Sequence, residues 1–273
     1  MNSCTVHTYT AAERGLFVNS YLLESADAVV LVDAGLLVPD ARALAARIAA
    51  LGKPLAAAFV THAHPDHYNG LPFVAGDDVP VYATHQVAAT IAEIAGPKRE
   101  QWAPVYGDDW PVTSRVPSHR LTGGETVEAG GIAFTVRAAG AAESHADSYL
   151  VAGDLAFIGD LAFNGVHPYT ADGHTGAWLS TLDNLEAELS GAVLHPGHGR
   201  PGDVRMLAEQ RRYLLMYREA VHRLAAGARA LTEPAKARLE ELMTSFHPGA
   251  PLTWMIGLGA DAVAAELADE RSS

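Results

Sequence analysis

Residues 61–70 read Thr-His-Ala-His-Pro-Asp-His-Tyr-Asn-Gly, and this decapeptide is the most informative stretch of the chain. It places His62, His64, Asp66 and His67 within six positions. Neutral imidazole and carboxylate groups are ligands of zinc and similar divalent ions. A structural zinc finger uses separated ligand pairs and relies on cysteine, whereas this dense His/Asp set favours a site for two metals. Because a metal pair can generate hydroxide at neutral pH, the decapeptide predicts a catalytic metal centre.

The backbone around the decapeptide explains how its side chains can converge. A short apolar strand at residues 55–60 runs straight into it. Residues i and i+2 of an extended chain share a face, so His62 and His64 can reach one metal. Pro65 then bends the chain, and the adjacent Asp66 and His67 point in different directions, which suits a second metal. The alternative role for Asp66 is to cap the short helix that follows.

Two later residues are candidates for the remaining ligands of such a centre. Asp160 follows the apolar run LAFIG, and a carboxylate at a strand end can bridge two metals. Its alternative role is to cap the next turn. His198 lies between Gly197 and Gly199, and flanking glycines let the backbone bring an imidazole close to a metal. The alternative is an ordinary loop histidine.

His145 is a third candidate ligand, in the segment Glu-Ser-His-Ala-Asp-Ser at residues 143–148. This segment comes just before an apolar strand. Glu143 or Asp147 could take the same place at the metal, and a solvated loop is the remaining interpretation.

Composition limits the classes of function. The chain has 273 residues, 49% of them hydrophobic, and a net charge of -13. Phosphate binding needs basic surface, so we expect no nucleic-acid partner, and the charge does not favour an anionic membrane. The single cysteine, Cys4, excludes an internal disulfide. No signal peptide or membrane-spanning stretch is recognisable, so we expect a cytoplasmic protein.

The pattern of elements predicts a single domain. Strand signals alternate with helix signals in a core at about residues 1–202, and only helix signals follow at about 203–273, where the helices should pack on the core. A helix is predicted from His85 to Ile94, and residues 96–120 are predicted to be a long loop.

The basic residues of the C-terminal helices indicate a solvated helix face or an interface with another subunit. These residues are Arg205, Arg211, Arg212, Arg218, Arg223 and Arg229.

The order of these motifs resembles the metallo-β-lactamase superfamily. The resemblance implies an α/β fold, a four-layer αβ/βα sandwich with its metals at one edge of the two sheets, here with a C-terminal helical extension. It implies a first metal held by His62, His64 and His145, a second held by Asp66, His67 and His198, and a bridging Asp160. The chain departs from the family pattern at His145. Gly-His-Thr or Gly-His-Ser is usual there, whereas Ser144 precedes this histidine and Ala146 follows it.

The resemblance also implies a reaction. Hydroxide shared by two zinc ions would attack a carbonyl or phosphoryl centre, and Asp66 would orient it and move its proton. Iron or manganese are alternatives to zinc. The true zinc β-lactamases usually carry cysteine or serine at the position of Asp160, and no nuclease insertion is evident. The chain is therefore predicted to cleave a small ester, thioester, lactone or related amide.

Aromatic and histidine side chains in two predicted loops are candidates for contact with the substrate, although packing is the alternative for each. They are Trp102, Trp110, His167, Tyr169 and His174.

Two further hypotheses compete with the hydrolase. One is a mononuclear iron oxygenase similar to the persulfide dioxygenases. The other is a degenerate, non-enzymatic member of the family that binds a ligand or partner through the basic helices.

Overall fold

The computed structural model describes residues 4–272, which form strands and helices in a mixed α/β chain. The strands are β1 (Thr5–Thr10), β2 (Asn19–Glu24), β3 (Val29–Val32), β4 (Leu55–Phe59), β5 (Val81–Thr84), β6 (His119–Leu121), β7 (Thr126–Ala129), β8 (Ile132–Gly140), β9 (Asp147–Ala152), β10 (Leu155–Gly159) and β11 (Val193–Pro196). The α-helices are α1 (Val38–Ala50), α2 (Pro65–Tyr68), α3 (Leu71–Val74), α4 (His85–Tyr106), α5 (Thr175–Glu188), α6 (Arg205–Ala225), α7 (Glu233–Phe246) and α8 (Trp254–Glu270).

Internal contacts divide the chain into two compact units. The first unit runs to Gly140 and includes Ala146–Gly159, and the second comprises Ala141–His145 and the chain from Asp160 onward. The sequence-based division into a core and C-terminal helices near residue 202 stays a prediction, as does the single domain.

The first sheet of the first unit delivers the decapeptide. Its strand order is β1-β2-β3-β4-β5-β6, with β1 to β3 antiparallel and β3 to β6 parallel. Parallel strands need a crossover connection, and α1 and α4 provide two of them. The carboxyl ends of the neighbouring parallel strands β3 and β4 therefore lie at the same edge of the sheet. Asp33 follows β3 directly, and the decapeptide begins two residues after β4.

Both faces of this first sheet are buried at its central strands β2, β3 and β4. One face packs against a second sheet, in which β10, β9, β8 and β7 are neighbours in that order. The rings of Phe59 and Phe134 meet between the two sheets, with their centroids 4.8 Å apart. The other face is covered by helices, which contribute Leu44, Leu71 and Ile91 to a second core cluster. Burial on both faces explains the continuous apolar runs of β3 and β4, which lack a polar alternation.

The second unit contains α5, β11 and three C-terminal helices. Helices α6, α7 and α8 pack around a core that includes Tyr217, Val221, Leu239, Met243 and Val263. The predicted helical extension is confirmed.

The basic residues of this extension make ion pairs within their own unit. Arg211 pairs with Asp183, and Arg229 pairs with Asp269. Such pairs on exposed helices contribute little to stability, and they satisfy these guanidinium groups without a partner protein. An oligomer formed through these helices stays a prediction.

The predicted loop at 96–120 is wrong over its first part, because α4 continues to Tyr106 with Pro97 and Pro104 inside it. Proline lacks an amide hydrogen and usually ends or kinks a helix, so the sequence indicated an earlier stop. Tertiary packing outweighs that cost, since Trp102 and Tyr106 on the second half of α4 pack with Leu36, Leu37 and Trp110. Among residues 4–272, no helix combines the length and apolar character needed to cross a membrane.

Candidate metal centre

The decapeptide is buried rather than displayed on the surface. His62 and His67 are 0% exposed, and His64 and Asp66 are 8% and 7% exposed. His64 is the extended N-cap residue of α2, with Pro65 in the first helical position, and no side chain caps this helix. Asp66 therefore lies inside the first turn and does not have the capping role that was its alternative. Burial of so many polar side chains requires partners for them, which disfavours a histidine-rich surface loop.

The three imidazoles of the decapeptide form one cluster. The ring centroids of His62 and His64 lie 4.9 Å apart, with their planes at 82°. The centroids of His62 and His67 lie 4.0 Å apart. The carboxylate of Asp66 is close to this cluster, with Oδ2 located 3.7 Å from Nε2 of His67. The structure thus brings together all four predicted ligands of the first unit.

Asp33 organises this cluster from behind. Its Oδ1 accepts a hydrogen bond of 2.9 Å from the amide of Thr61, and its Oδ2 accepts one of 2.8 Å from the Thr61 hydroxyl. The same Oδ2 lies 2.8 Å from Nδ1 of His67. Asp33 has a φ of +60°, in the left-handed region, where Asp and Asn are the best tolerated residues after glycine.

This network sets the tautomers of two histidines. Nδ1 of His67 faces a carboxylate, so it carries the proton and leaves the Nε2 lone pair for a metal. Nδ1 of His62 lies 3.1 Å from the Thr61 hydroxyl oxygen, whose own proton goes to Asp33. His62 must therefore also donate from Nδ1, and its Nε2 carries a lone pair. A carboxylate behind a metal-binding histidine is typical of metal sites, so the cluster fits a divalent cation.

Asp33 was not among the residues predicted from the sequence. The signal was present, because Asp33 directly follows the apolar strand VVLV, as Asp160 follows LAFIG.

In the second unit, Asp160 and His198 form a buried pair. Asp160 is 3% and His198 is 2% exposed, and Nε2 of His198 lies 3.3 Å from Oδ2 of Asp160. The carbonyl of His198 accepts a 3.0 Å hydrogen bond from the amide of Asn164. Gly199 has a φ of +92°, and a Cβ there would lie 1.9 Å from the carbonyl oxygen of Asn164. Glycine is required because two backbone segments approach each other beside the imidazole.

The neighbours Glu143 and His145 have opposite environments in the second unit. The side chain of His145 is 61% exposed, and its Nδ1 lies 2.7 Å from Nε2 of His174. Glu143, by contrast, is 1% exposed. Asp172 accepts a hydrogen bond from the hydroxyl of Tyr169 and lies 3.9 Å from the His145 ring. Two predicted site residues, His145 and His174, are thus paired at the surface, and the role of His145 as a ligand stays a prediction.

Seven buried side chains are members of candidate metal-binding groups of histidine and carboxylate residues among residues 4–272. They are His62, His64, Asp66 and His67 of the first unit, and Glu143, Asp160 and His198 of the second. Six of them were predicted as ligands, and the seventh, Glu143, was one of the two alternatives to His145. Imidazole with carboxylate suits zinc, iron and manganese.

The predicted substrate contacts have differing environments. Trp102 and Trp110 pack in the apolar cluster beside α4. Burial and the nearby carboxylate of Asp66 raise the pKa of Tyr106 in this cluster. His167 is fully buried, and its Nδ1 lies 2.8 Å from the Tyr213 hydroxyl. Burial, with a smaller effect of His247, lowers the pKa of His167 to about 4, so this imidazole is neutral at pH 7. Contact of these side chains with a substrate stays a prediction.

Comparison with known proteins identifies related sequences and folds. The family model of the metallo-beta-lactamase superfamily matches residues 14–198. A search of curated proteins finds no match to the chain. A beta-lactamase domain protein from Burkholderia ambifaria has a similar structure, with a TM-score of 0.72 at 18% identity over 97% of this chain and 87% of that protein. A metallo-beta-lactamase family protein from Thermus thermophilus gives 0.69 at 20% identity, over 98% and 94%. A metallo-beta-lactamase from Pontibacter korlensis gives 0.62 at 22% identity, over 78% and 98%.

Proposed function

The chain belongs to the metallo-β-lactamase superfamily, and on this premise we propose that it is a metal-dependent hydrolase of a small ester, thioester, lactone or related amide. The observation that carries the proposal is the buried cluster of His62, His64, Asp66 and His67, in which Asp33 and Thr61 orient two of the imidazoles through their Nδ1 atoms. Burial of such a set without a bound cation would be costly.

Two zinc ions are the proposed cofactors. His62 and His64 would hold one ion, and Asp66, His67 and His198 would hold the other, with Asp160 between them. Glu143 is the proposed third ligand of the first ion in preference to His145, because its side chain is 1% exposed. His145 instead has its Nδ1 beside His174 at the surface.

Bound divalent ions polarise a substrate oxygen and lower the pKa of water. The remaining roles belong to side chains of this chain. We assign Asp66 to orient the attacking water and to accept its proton at the carboxylate, since it lies beside the imidazole cluster. Asp33 and Thr61 keep the rings of His62 and His67 in one orientation, so that no reorganisation is needed during the reaction.

The carboxylate of Glu143 also favours a second candidate function. A set of two histidines and one carboxylate with open positions is typical of non-haem iron(II) oxygenases, and His62, His64 and Glu143 would be such a set if Glu143 is the third ligand. In that case one iron ion would replace the zinc pair, and the reaction would consume oxygen. Metal analysis and an oxygen electrode distinguish this candidate from the hydrolase.

Activity of a His64→Ala variant tests the proposal. Protein purified without chelator is assayed against esters, thioesters, lactones, phosphodiesters and β-lactams, together with His64→Ala and a matched His222→Ala control. His222 lies on α6 and is exposed. We expect turnover of an ester, thioester or lactone that is lost in His64→Ala and kept in His222→Ala. Equal activity in both variants, or no hydrolysis by the metal-loaded protein, would refute the hydrolase.

A further inference from the structure

Thr61, the first residue of the decapeptide, is held from both sheets of the first unit. Its hydroxyl donates to Asp33, which follows β3 of the first sheet, and its hydroxyl oxygen lies 3.1 Å from Nδ1 of His62. Its carbonyl accepts two hydrogen bonds from Ser148 in β9 of the second sheet, one of 3.0 Å from the amide and one of 2.5 Å from the hydroxyl. Thr61 is 0% exposed, so the position of its hydroxyl depends on the residues packed around it.

Gly159, the last residue of β10, packs directly against the side chain of Thr61. Its φ is +50°, and a Cβ built on its backbone would lie 2.7 Å from Oγ1 and 2.9 Å from Cβ of Thr61. The same Cβ would lie 3.4 Å from Nδ1 of His62. Non-bonded carbon atoms pack at about 3.5–4.0 Å, so only glycine leaves room for the Thr61 side chain where it lies.

The Thr61 side chain cannot yield to a larger residue at position 159 without loss. Threonine is branched at Cβ and has few favourable χ1 rotamers, and rotation about χ1 would move Oγ1 away from Asp33. A shift of the backbone is opposed by the two hydrogen bonds from Ser148. A change at Gly159 is therefore transmitted to the hydrogen bond that orients the His62 ring.

We propose that Gly159 and Ser148 are positioning residues of the candidate metal centre, which hold Thr61 so that its hydroxyl orients the imidazole of His62. The inference rests on the metal site of the proposed function, and it concerns the affinity for metal rather than the reaction. It gives the second sheet a role at the site, because β9 and β10 position a decapeptide that the first sheet delivers.

Zinc affinity of a Gly159→Ala variant tests the proposal, measured by competition with a chromophoric chelator. Gly153→Ala is the matched control, because Gly153 has a φ of +64° in the turn before β10 and a Cβ there meets nothing within 4 Å. Both alanines have the same left-handed backbone strain, but only one contacts Thr61. We expect zinc binding about 10- to 100-fold weaker in Gly159→Ala alone. Equal affinity in the two folded variants would overturn the proposal.

Ser148→Ala is a second variant, which adds no atom to the core. It removes the hydroxyl that donates to the Thr61 carbonyl and keeps the amide donor. We expect zinc binding to weaken by about 3- to 10-fold. Ser245→Ala is its control, since that hydroxyl also donates to a backbone carbonyl, of Glu241 on α7. Zinc affinity of the parent chain in Ser148→Ala would overturn the proposal, even where Gly159→Ala does not fold.

A double-mutant cycle with Thr61→Val identifies the route of the effect. Gly159 directly precedes Asp160, a proposed metal ligand, so Gly159→Ala could also act through that neighbour. Valine has nearly the shape of threonine without its hydroxyl. In the Thr61→Val background, Gly159→Ala should weaken zinc binding by no more than about threefold. The same fold-change in both backgrounds would assign the effect to Asp160 or to general destabilisation, and would overturn the role of Thr61.

NMR of the imidazole nitrogens reports the His62 ring itself. In metal-free protein at alkaline pH, where imidazoles are neutral, His62 should carry its proton on Nδ1 in the parent chain and in Gly153→Ala. We expect a mixture of tautomers in Gly159→Ala, with the His62 signals assigned from a His62→Gln variant. An unchanged tautomer in Gly159→Ala would overturn the proposal. This measurement needs no substrate, so the expected shift in a protein that cleaves no ester would support the positioning role and refute only the hydrolase.

Discussion

Asp33→Asn is the substitution that most directly probes how the candidate metal centre is organised. Asn fits the same space and tolerates the left-handed backbone found at this position, where φ is +60°. It removes the negative charge and replaces one of the two acceptor oxygens by an NH₂ group. Asp33 accepts from the Thr61 amide at 2.9 Å, from the Thr61 hydroxyl at 2.8 Å and from His67 Nδ1 at 2.8 Å. Asn has one acceptor oxygen, so at least one donor of this buried network meets an NH₂ group.

The expected losses follow from this count. If the Asn oxygen faces the Thr61 amide, the NH₂ group faces His67, whose favoured tautomer then changes and protonates Nε2. Loss of such a partner behind a ligand typically weakens metal binding 10- to 100-fold, which corresponds to about 1.4–2.7 kcal/mol. The free energy of unfolding of metal-free protein should fall by about 2–4 kcal/mol, because donors near a former carboxylate lose their acceptor.

The assay is competition for zinc against a chromophoric chelator, combined with urea unfolding. Asp40→Asn is the matched control, since Asp40 belongs to the same unit and accepts a 2.8 Å hydrogen bond from Tyr9 but lies outside the candidate metal groups among residues 4–272. We expect weakened zinc binding in Asp33→Asn alone. A folded Asp33→Asn protein with the zinc affinity of the parent chain would refute the argument that Asp33 sets the histidine tautomers.

Three other outcomes are expected. Gly259→Ala should reduce the free energy of unfolding by about 1–3 kcal/mol, because a Cβ there would lie 1.9 Å from Thr170 Oγ1. Gly257→Ala on the same helix meets open space and should stabilise by up to about 1 kcal/mol, so equal effects in urea unfolding would contradict this packing. His167 has a folded pKa of about 4 against about 6.5 when unfolded. The unfolded state therefore binds the extra proton, and stability should fall between pH 6.5 and 4 by an amount on the order of 1–3 kcal/mol; a His167→Asn variant with the same pH profile would exclude this cause. Removal of metal with EDTA should lower the thermal unfolding midpoint reversibly, and an unchanged midpoint in a protein shown to contain metal would count against a site formed by the folded state.

The sequence predicted the parts of the centre that depend on local spacing. His62, His64, Asp66 and His67 follow one another so closely that any fold must keep them near each other, and the strand-then-helix geometry brings their side chains together. Asp160 could be identified in the same way because a polar residue directly follows an apolar strand. The helical extension was predicted from its apolar periodicity.

Features that depend on long-range packing were not predictable. Asp33 acquires its role only because β3 and β4 are parallel neighbours, which places its carboxylate behind residues 28 and 34 positions away. The turn at 143–145 contains two possible metal ligands, one of which is buried and the other exposed. The spacing of the residues alone does not decide which of the two is the ligand. Helix α4 passes two prolines because its aromatic residues find a packed surface, a contribution that local propensity does not include.

Metal content tests the central claim most directly. Elemental analysis of protein purified without chelator, normalised to protein concentration by amino-acid analysis, gives the number and identity of bound ions. We predict about two zinc ions per chain. One iron ion per chain would contradict this prediction in favour of the oxygenase, and a chain that remains metal-free after exposure to zinc would contradict a metal-dependent function altogether.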